Sequence, residues 1–177
     1  AAPKILPLFR VIWSAFNGGV KLSIEKVRKY FAARGMEDQI LEFDVSSATV
    51  ELAAKALNCD GCLIAKTLSF LLHDDVILIV APGDVKIDNH KYKMHFGVKA
   101  KMLPAAEAEQ LIGHAVGGVC PFAVNEGVKV FLDESLNRFE FVYPACGSSN
   151  SAIKLTIPEL EKNTDHFSGW VDVCKLK

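Results

Sequence analysis

The sequence predicts a single α/β domain built on a mixed sheet or partly closed barrel. Three observations predict it. About seven apolar runs of strand length recur along the chain, helical stripes alternate with them, and hairpin signals outnumber strand–helix–strand units. The 177 residues suit one core-bearing domain, with no internal repeat or low-complexity linker to divide them. Half the residues are apolar (50%) and 23% are charged, ordinary values for a globular chain.

Residues 1–22 read as an irregular N-terminal extension and residues 23–177 as the domain. The extension is mildly apolar and basic, but Pro3, Lys4, Pro7 and Arg10 interrupt any signal-type or spanning segment. Ser23 is the expected N-cap of a first helix with Ile24, Val27, Tyr30 and Phe31 on one face and Gly35 as its stop. ILEFDV (40–45) reads as a strand. SSATVELAAKALN (46–58) reads as a serine-capped helix ending at Asn58. LIAKTLSFLL (63–72) and VILIVA (76–81), separated by His73-Asp74-Asp75, read as a hairpin. A short helix capped by Asp88 and closed by Gly97 follows, then a strand over 99–103. Pro104 is expected at the first position of a helix that Gly113 ends. The segments GVKVFLDES, RFEFVYP, AIKLTI and WVDVC read as strands, with a last short helix opened by Pro158.

Lys66 breaks a pattern. Strand alternation puts it on a face with Ile64, Leu68, Phe70 and Leu72, where an ammonium costs desolvation unless an anionic or polar group meets it or its head reaches water. The stretch GHAVGGVCPF (113–122) sets Gly117, Gly118, Val119, Cys120 and Pro121 between a helix stop and a strand. Such a loop is either a tight turn or a cradle aiming N–H groups at an oxyanion or phosphate. It matches neither the nucleotide-triphosphate loop nor the dinucleotide fingerprint. Cys59 and Cys62 have metal or redox spacing but no second ligand pair, and the histidines form no metal motif. Five scattered cysteines read as reduced thiols of a cytoplasmic protein. The net charge of −1 gives no global attraction to nucleic acid, so a basic site must be local. Lys86, Lys91, Lys93, Lys99 and Lys101, with the single acid Asp88 among them, suit either a phosphate-tracking run or a solvated face.

Taken together, IAKTLSF, GGVCPF and PACGSSNSAIKLTI resemble the YbaK/EbsC family, free-standing relatives of the editing insertion of bacterial prolyl-tRNA synthetases. The resemblance runs from about Ser23 to Lys175. It implies a mixed, mostly antiparallel, strongly curved sheet with helices packed around it. It also implies hydrolysis, in trans and without metal or cofactor, of the ester joining a wrong amino acid to tRNA. The family's strand lysine falls on Lys66 and its GxxxP loop on Gly117 through Pro121; Thr67, Gly147 and Ser148 fall beside the pocket. Lys66 would anchor the aminoacyl-adenosine, while backbone N–H groups at 117–120 would stabilise the oxyanion, with water or a substrate group attacking. The expected partner is the acceptor end of a mischarged tRNA, with prolyl-tRNA synthetase as a second partner. Cys-tRNA-Pro is the first expected substrate and Ala-tRNA-Pro the next. A non-catalytic module that binds tRNA ends or a partner through the same pocket is the alternative. Ala123 and Cys120 depart from the family pattern, where glycine and serine are frequent, which argues against a hydroxyl-dependent role at position 120.

Overall fold

The two longest apolar runs form the central hairpin. In the computed structural model, which describes residues 23–177, β2 (Ile64–Leu72) and β3 (Asp75–Pro82) pair antiparallel from Ala65↔Pro82 to Leu72↔Asp75. The turn between them is closed by His73 in the left-handed region at φ 55°. Around this hairpin stand β5 (Lys129–Asp133), β6 (Phe141–Pro144), β8 (Leu155–Thr156) and β9 (Phe167–Val171), in the order β8-β6-β2-β3-β5-β9. Two ribbons complete the sheet system: β1 (Ile40–Glu42) with β7 (Ser151–Ile153), and β4 (Val85–Ile87) with β10 (Cys174–Leu176). Antiparallel pairings (β1–β7, β2–β3, β4–β10, β6–β8) outnumber parallel ones (β2–β6, β3–β5, β5–β9). The mixed sheet curls into a half-barrel.

β3 is apolar from Val76 onward because both its faces are covered there. Leu78 and Val80 face the main core with Phe31, Phe122, Val130 and Leu132, while Ile77, Ile79 and Ala81 face a second core with Phe70, Tyr92, Val171 and Val173. The helix α1, described over residues 23–32, packs Phe31 on Phe122 with ring centroids 4.7 Å apart. The helices α3 (Asn89–Phe96) and α4 (Ala105–Ile112) lie on the long path from β4 to β5. No helix among the described residues is long and apolar enough to cross a membrane. The extension expected over residues 1–22 lies outside the described residues.

Several boundaries differ from expectation, some because a side chain found another partner. Ser23 is already helical; its hydroxyl accepts from the Ala115 N–H (3.0 Å) instead of capping its own helix. The helix expected from Ser46 begins as α2 (Val50–Leu57), capped by Thr49, whose Oγ1 accepts from the Leu52 N–H (3.2 Å). Ser47 is held by the Ser149 carbonyl instead (3.2 Å). Pro104 is the N-cap of α4 and not its first residue. Only a bridge between Phe70 and Met102 survives of the strand expected over 99–103. The segment after β5 coils into a 3-10 turn (Glu134–Arg138) because the Asp133 carboxylate accepts from the Ser135 N–H (3.0 Å). Its second oxygen accepts from the Val173 N–H (2.9 Å), which separates β9 from β10 where one strand was expected. AIKLTI likewise divides, because β7 pairs with β1 and β8 with β6. The last helix, α5 (Ile157–Asn163), has Pro158 in its first turn and a capping box from Thr156 and Glu159.

Candidate active site

A cavity of about 250 Å³ opens where the start of β2 meets the N-terminus of α2 and the 113–123 loop. This lies below the roughly 300–1,000 Å³ of typical drug-sized ligand sites, so only a small group fits. Val50 and Ala53 of α2, Ala65, Lys66 and Thr67 of β2, Gly117 and Val119, and Tyr143, Ser151 and Ala152 contribute to its walls. Thr67 Oγ1 is buried and makes no hydrogen bond among the described residues. A buried hydroxyl left in that state costs about 1–3 kcal/mol.

Lys66 shares its strand face with Leu68, Phe70 and Leu72 against the second core, as alternation predicts. It is half-buried, and its ammonium donates to the Val85 carbonyl. Burial pulls its pKa below the usual lysine value and the Lys177 charge adds to this, while Cys174, Asp84 and Glu51 oppose. The desolvation problem visible in the sequence is thus met by a main-chain oxygen, that of Val85.

The glycine loop divides its donors. The Gly118 N–H closes a turn on the Ala115 carbonyl (3.0 Å), and the Cys120 N–H donates to His114 Nδ1 (3.4 Å). The N–H groups of Gly117 and Val119 have no partner among the described residues, and these two residues line the cavity. Gly117 sits at φ 85°, and a Cβ on Gly118 would lie 2.5 Å from Ser148 N. Pro121 is held through its carbonyl, which accepts from the Asp165 N–H (2.8 Å). Gly118, Cys120 and Pro121 therefore shape the loop without reaching the cavity wall.

Cys120 and His114 look like a nucleophile and its base, with Sγ 3.8 Å from Nε2. Their protonation states argue otherwise. Burial pushes the Cys120 thiol up to about 12, and burial with the Lys26 charge pulls His114 down to about 4. Near neutral pH both are uncharged, and a protonated thiol is a poor nucleophile.

Gly147 and Ser148 stand behind the cavity and not in its wall. Gly147, at φ 90°, lets the chain pass close to α1, where a Cβ would lie 2.7 Å from the Ser23 carbonyl oxygen. Ser148 Oγ is 2.7 Å from Ser151 Oγ and so orients a wall residue. The five lysines are interleaved with Val85, Ile87, Tyr92 and Ala100 of the second core, and among the described lysines only Lys66 lines the cavity. Lys86 is exposed on β4 opposite Lys175; Lys91 is tied to Asp172 (2.8 Å) and to the Cys174 carbonyl (3.2 Å); Lys93, Lys99 and Lys101 are exposed. All five cysteines are free thiols, and no group of His, Cys, Asp or Glu among the described residues could hold a metal ion. Sequence reasoning missed the α2 N-terminus, Tyr143 and Ser151. Only the small, polar run ahead of α2 signalled any of them.

The chain is thus a curled α/β half-barrel domain with a small cavity between a lysine-bearing strand and a glycine loop. A sequence model of the aminoacyl-tRNA editing domain matches residues 45–163, and the chain belongs to that family. It is 50% identical over 156 residues to the uncharacterized protein YwhH of Bacillus subtilis (strain 168), spanning 87% of this chain and 98% of that protein. It is 19% identical over 166 residues to a proline–tRNA ligase of Streptococcus equi subsp. equi (strain 4047), covering 93% of this chain but 26% of the ligase. Among solved structures, a candidate trans-editing enzyme for prolyl tRNA synthetase superposes with a TM-score of 0.76 at 26% identity, over 86% of this chain and 97% of that one. The hypothetical protein APE2540 superposes with a TM-score of 0.75 at 29% identity, over 85% and 99%.

Proposed function

We propose that this protein is a trans-editing deacylase that hydrolyses mischarged aminoacyl-tRNA, Cys-tRNA-Pro first and Ala-tRNA-Pro next, in the cytoplasm. The observation that carries this reading is that Gly117 and Val119, whose N–H groups have no partner among the described residues, line the same small cavity as Thr67, whose hydroxyl also has none there. An aminoacyl ester is already activated, so placing its carbonyl and stabilising the developing oxyanion is the main task. The carbonyl oxygen points at the Gly117 and Val119 N–H groups, and water attacks the carbon. The tetrahedral intermediate collapses with cleavage of the bond to the ribose oxygen, which takes up a proton. The products are the free amino acid and uncharged tRNA. Losing one such donor typically costs about 2.7–4 kcal/mol of transition-state stabilisation.

Lys66 anchors the aminoacyl-adenosine at the cavity edge, and Thr67 accepts or donates one hydrogen bond to it. Lys86, Lys93, Lys99 and Lys101 meet phosphates of the acceptor end, with Lys91 contributing less because Asp172 already engages it. Prolyl-tRNA synthetase is the source of the mischarged substrate. Such a second sieve is useful because a synthetase pocket separates amino acids differing by a methylene only about 10–200-fold.

The test is a panel of mischarged tRNAs with the wild type and Lys66→Ala. Release of amino acid from Cys-tRNA-Pro, reduced at least about 10²-fold in a folded Lys66→Ala variant, is the expected result; an unchanged rate in the variant overturns the assignment. A second reading, a non-catalytic module binding tRNA ends, draws on the Lys66 ammonium being engaged by Val85. It requires tRNA binding with no amino acid released from any substrate in the panel.

A further inference from the structure

Lys66 is held by a turn that is itself fixed on three sides. The turn at Gly83-Asp84 joins β3 to β4, and the next carbonyl, that of Val85, receives the Lys66 ammonium. Gly83 lies so close to the Gly61 carbonyl and to Val50 that a Cβ there would sit 2.6 Å from Val50 Cγ1. The Asp84 carbonyl accepts from the Lys177 N–H (3.1 Å). Its carboxylate is gripped by both terminal nitrogens of Arg138, at 3.0 Å to Oδ2 and 2.6 Å to Oδ1. The remaining guanidinium nitrogen, Nε, donates to the Ser135 carbonyl (2.9 Å), and the Ser135 N–H is held by Asp133 (3.0 Å). Two parallel charge-assisted bonds set distance and orientation together, which a lysine at position 138 could not do.

We propose that Arg138 is a positioning residue for Lys66: its fork on Asp84 fixes the β3–β4 turn and thereby the Val85 carbonyl that docks the ammonium. The inference rests on the proposed role of Lys66 in editing, but its geometry can be read without any tRNA. Asp84 also lies near enough to oppose the fall in the Lys66 pKa, alongside Cys174 and Glu51 and against Lys177. Loosening the turn withdraws the Val85 acceptor that favours the protonated amine and opens the side chain to reagent. Both changes make Lys66 more reactive towards an acylating reagent.

The experiment is competitive acylation with trace acetic anhydride, read by mass spectrometry at individual lysines, in the wild type, Arg138→Gln, Arg138→Lys and Asp84→Asn. The expected result is a several-fold rise in labelling of Lys66 in Arg138→Gln and Asp84→Asn, a smaller rise in Arg138→Lys, and no change at exposed Lys93. Unchanged Lys66 labelling in both Arg138→Gln and Asp84→Asn overturns the proposal, whatever the deacylation assay gives. A uniform rise at all lysines, the mark of general loosening, overturns it equally. Where the wild type deacylates a mischarged tRNA, Arg138→Gln should lower kcat by up to roughly 10²-fold with KM little altered, as expected of a misplaced anchoring group. Absence of deacylation by the wild type fails the functional reading and leaves the labelling result to decide the positioning role.

Discussion

His114 is fully buried beside the Cys120 thiol and has its pKa pulled down to about 4 by burial and by Lys26. The unfolded chain protonates this side chain near 6.5, so between the two values the unfolded state binds more protons. Stability from this group is therefore complete above about pH 6.5 and is lost as pH falls towards 4. Between pH 6.5 and 5 the loss should be about 2 kcal/mol. Denaturant titrations of the wild type and His114→Gln at both pH values check this, and parallel losses in the two proteins would count against it. The same scale shows what a sequence can and cannot expose. Lys66 was legible because one charge interrupted an apolar alternation. The Thr67 hydroxyl was not, because nothing in a strand's residue order tells whether a threonine will find a partner. Arg138 was silent too, since its partner Asp84 is 54 positions away.

Among the elements, the 113–123 loop carries the most conformational demand. Gly118 lies against the backbone of Gly147 and Ser148, which cannot rotate aside as a side chain could. Gly118→Ala should therefore displace one loop from the other, destabilise the fold by about 1–3 kcal/mol, and lower deacylation by moving the Gly117 and Val119 N–H groups. A thermal melt with a deacylation assay checks it; a normal rate at a normal melting temperature would mean that this close approach does not set the site. The glycines marked this loop in the sequence as either a turn or a cradle. In the structure the Gly118 and Cys120 N–H groups are satisfied within the loop, and those of Gly117 and Val119 have no partner among the described residues. Helix and hairpin positions were legible from caps and periodicity, as Asp88, Gly97 and Asn58 illustrate. The boundaries that moved did so where Ser23, Ser47 or Asp133 bonded to residues distant in the chain, a competition that local pattern does not contain.

Across the whole molecule, the hairpin β2–β3 separates two cores yet contributes side chains to both, so neither can open without exposing the other face of the same strands. Phe122, fully buried between Phe31 and Tyr30, ties α1 to the larger core. Phe122→Ala should cost about 3–5 kcal/mol, and circular dichroism and fluorescence should still report one coincident transition in denaturant. Separate transitions would show the two cores to be independent. The cavity walls come from residues as far apart as Ser47 and Ala152, and β7, which supplies Ser151 and Ala152, pairs back onto β1 near the start of the described chain. A chain emerging from the ribosome consequently carries its lysine strand and its glycine loop long before it has a closed pocket. A chain cut short before Ser151 would therefore lack part of the cavity wall.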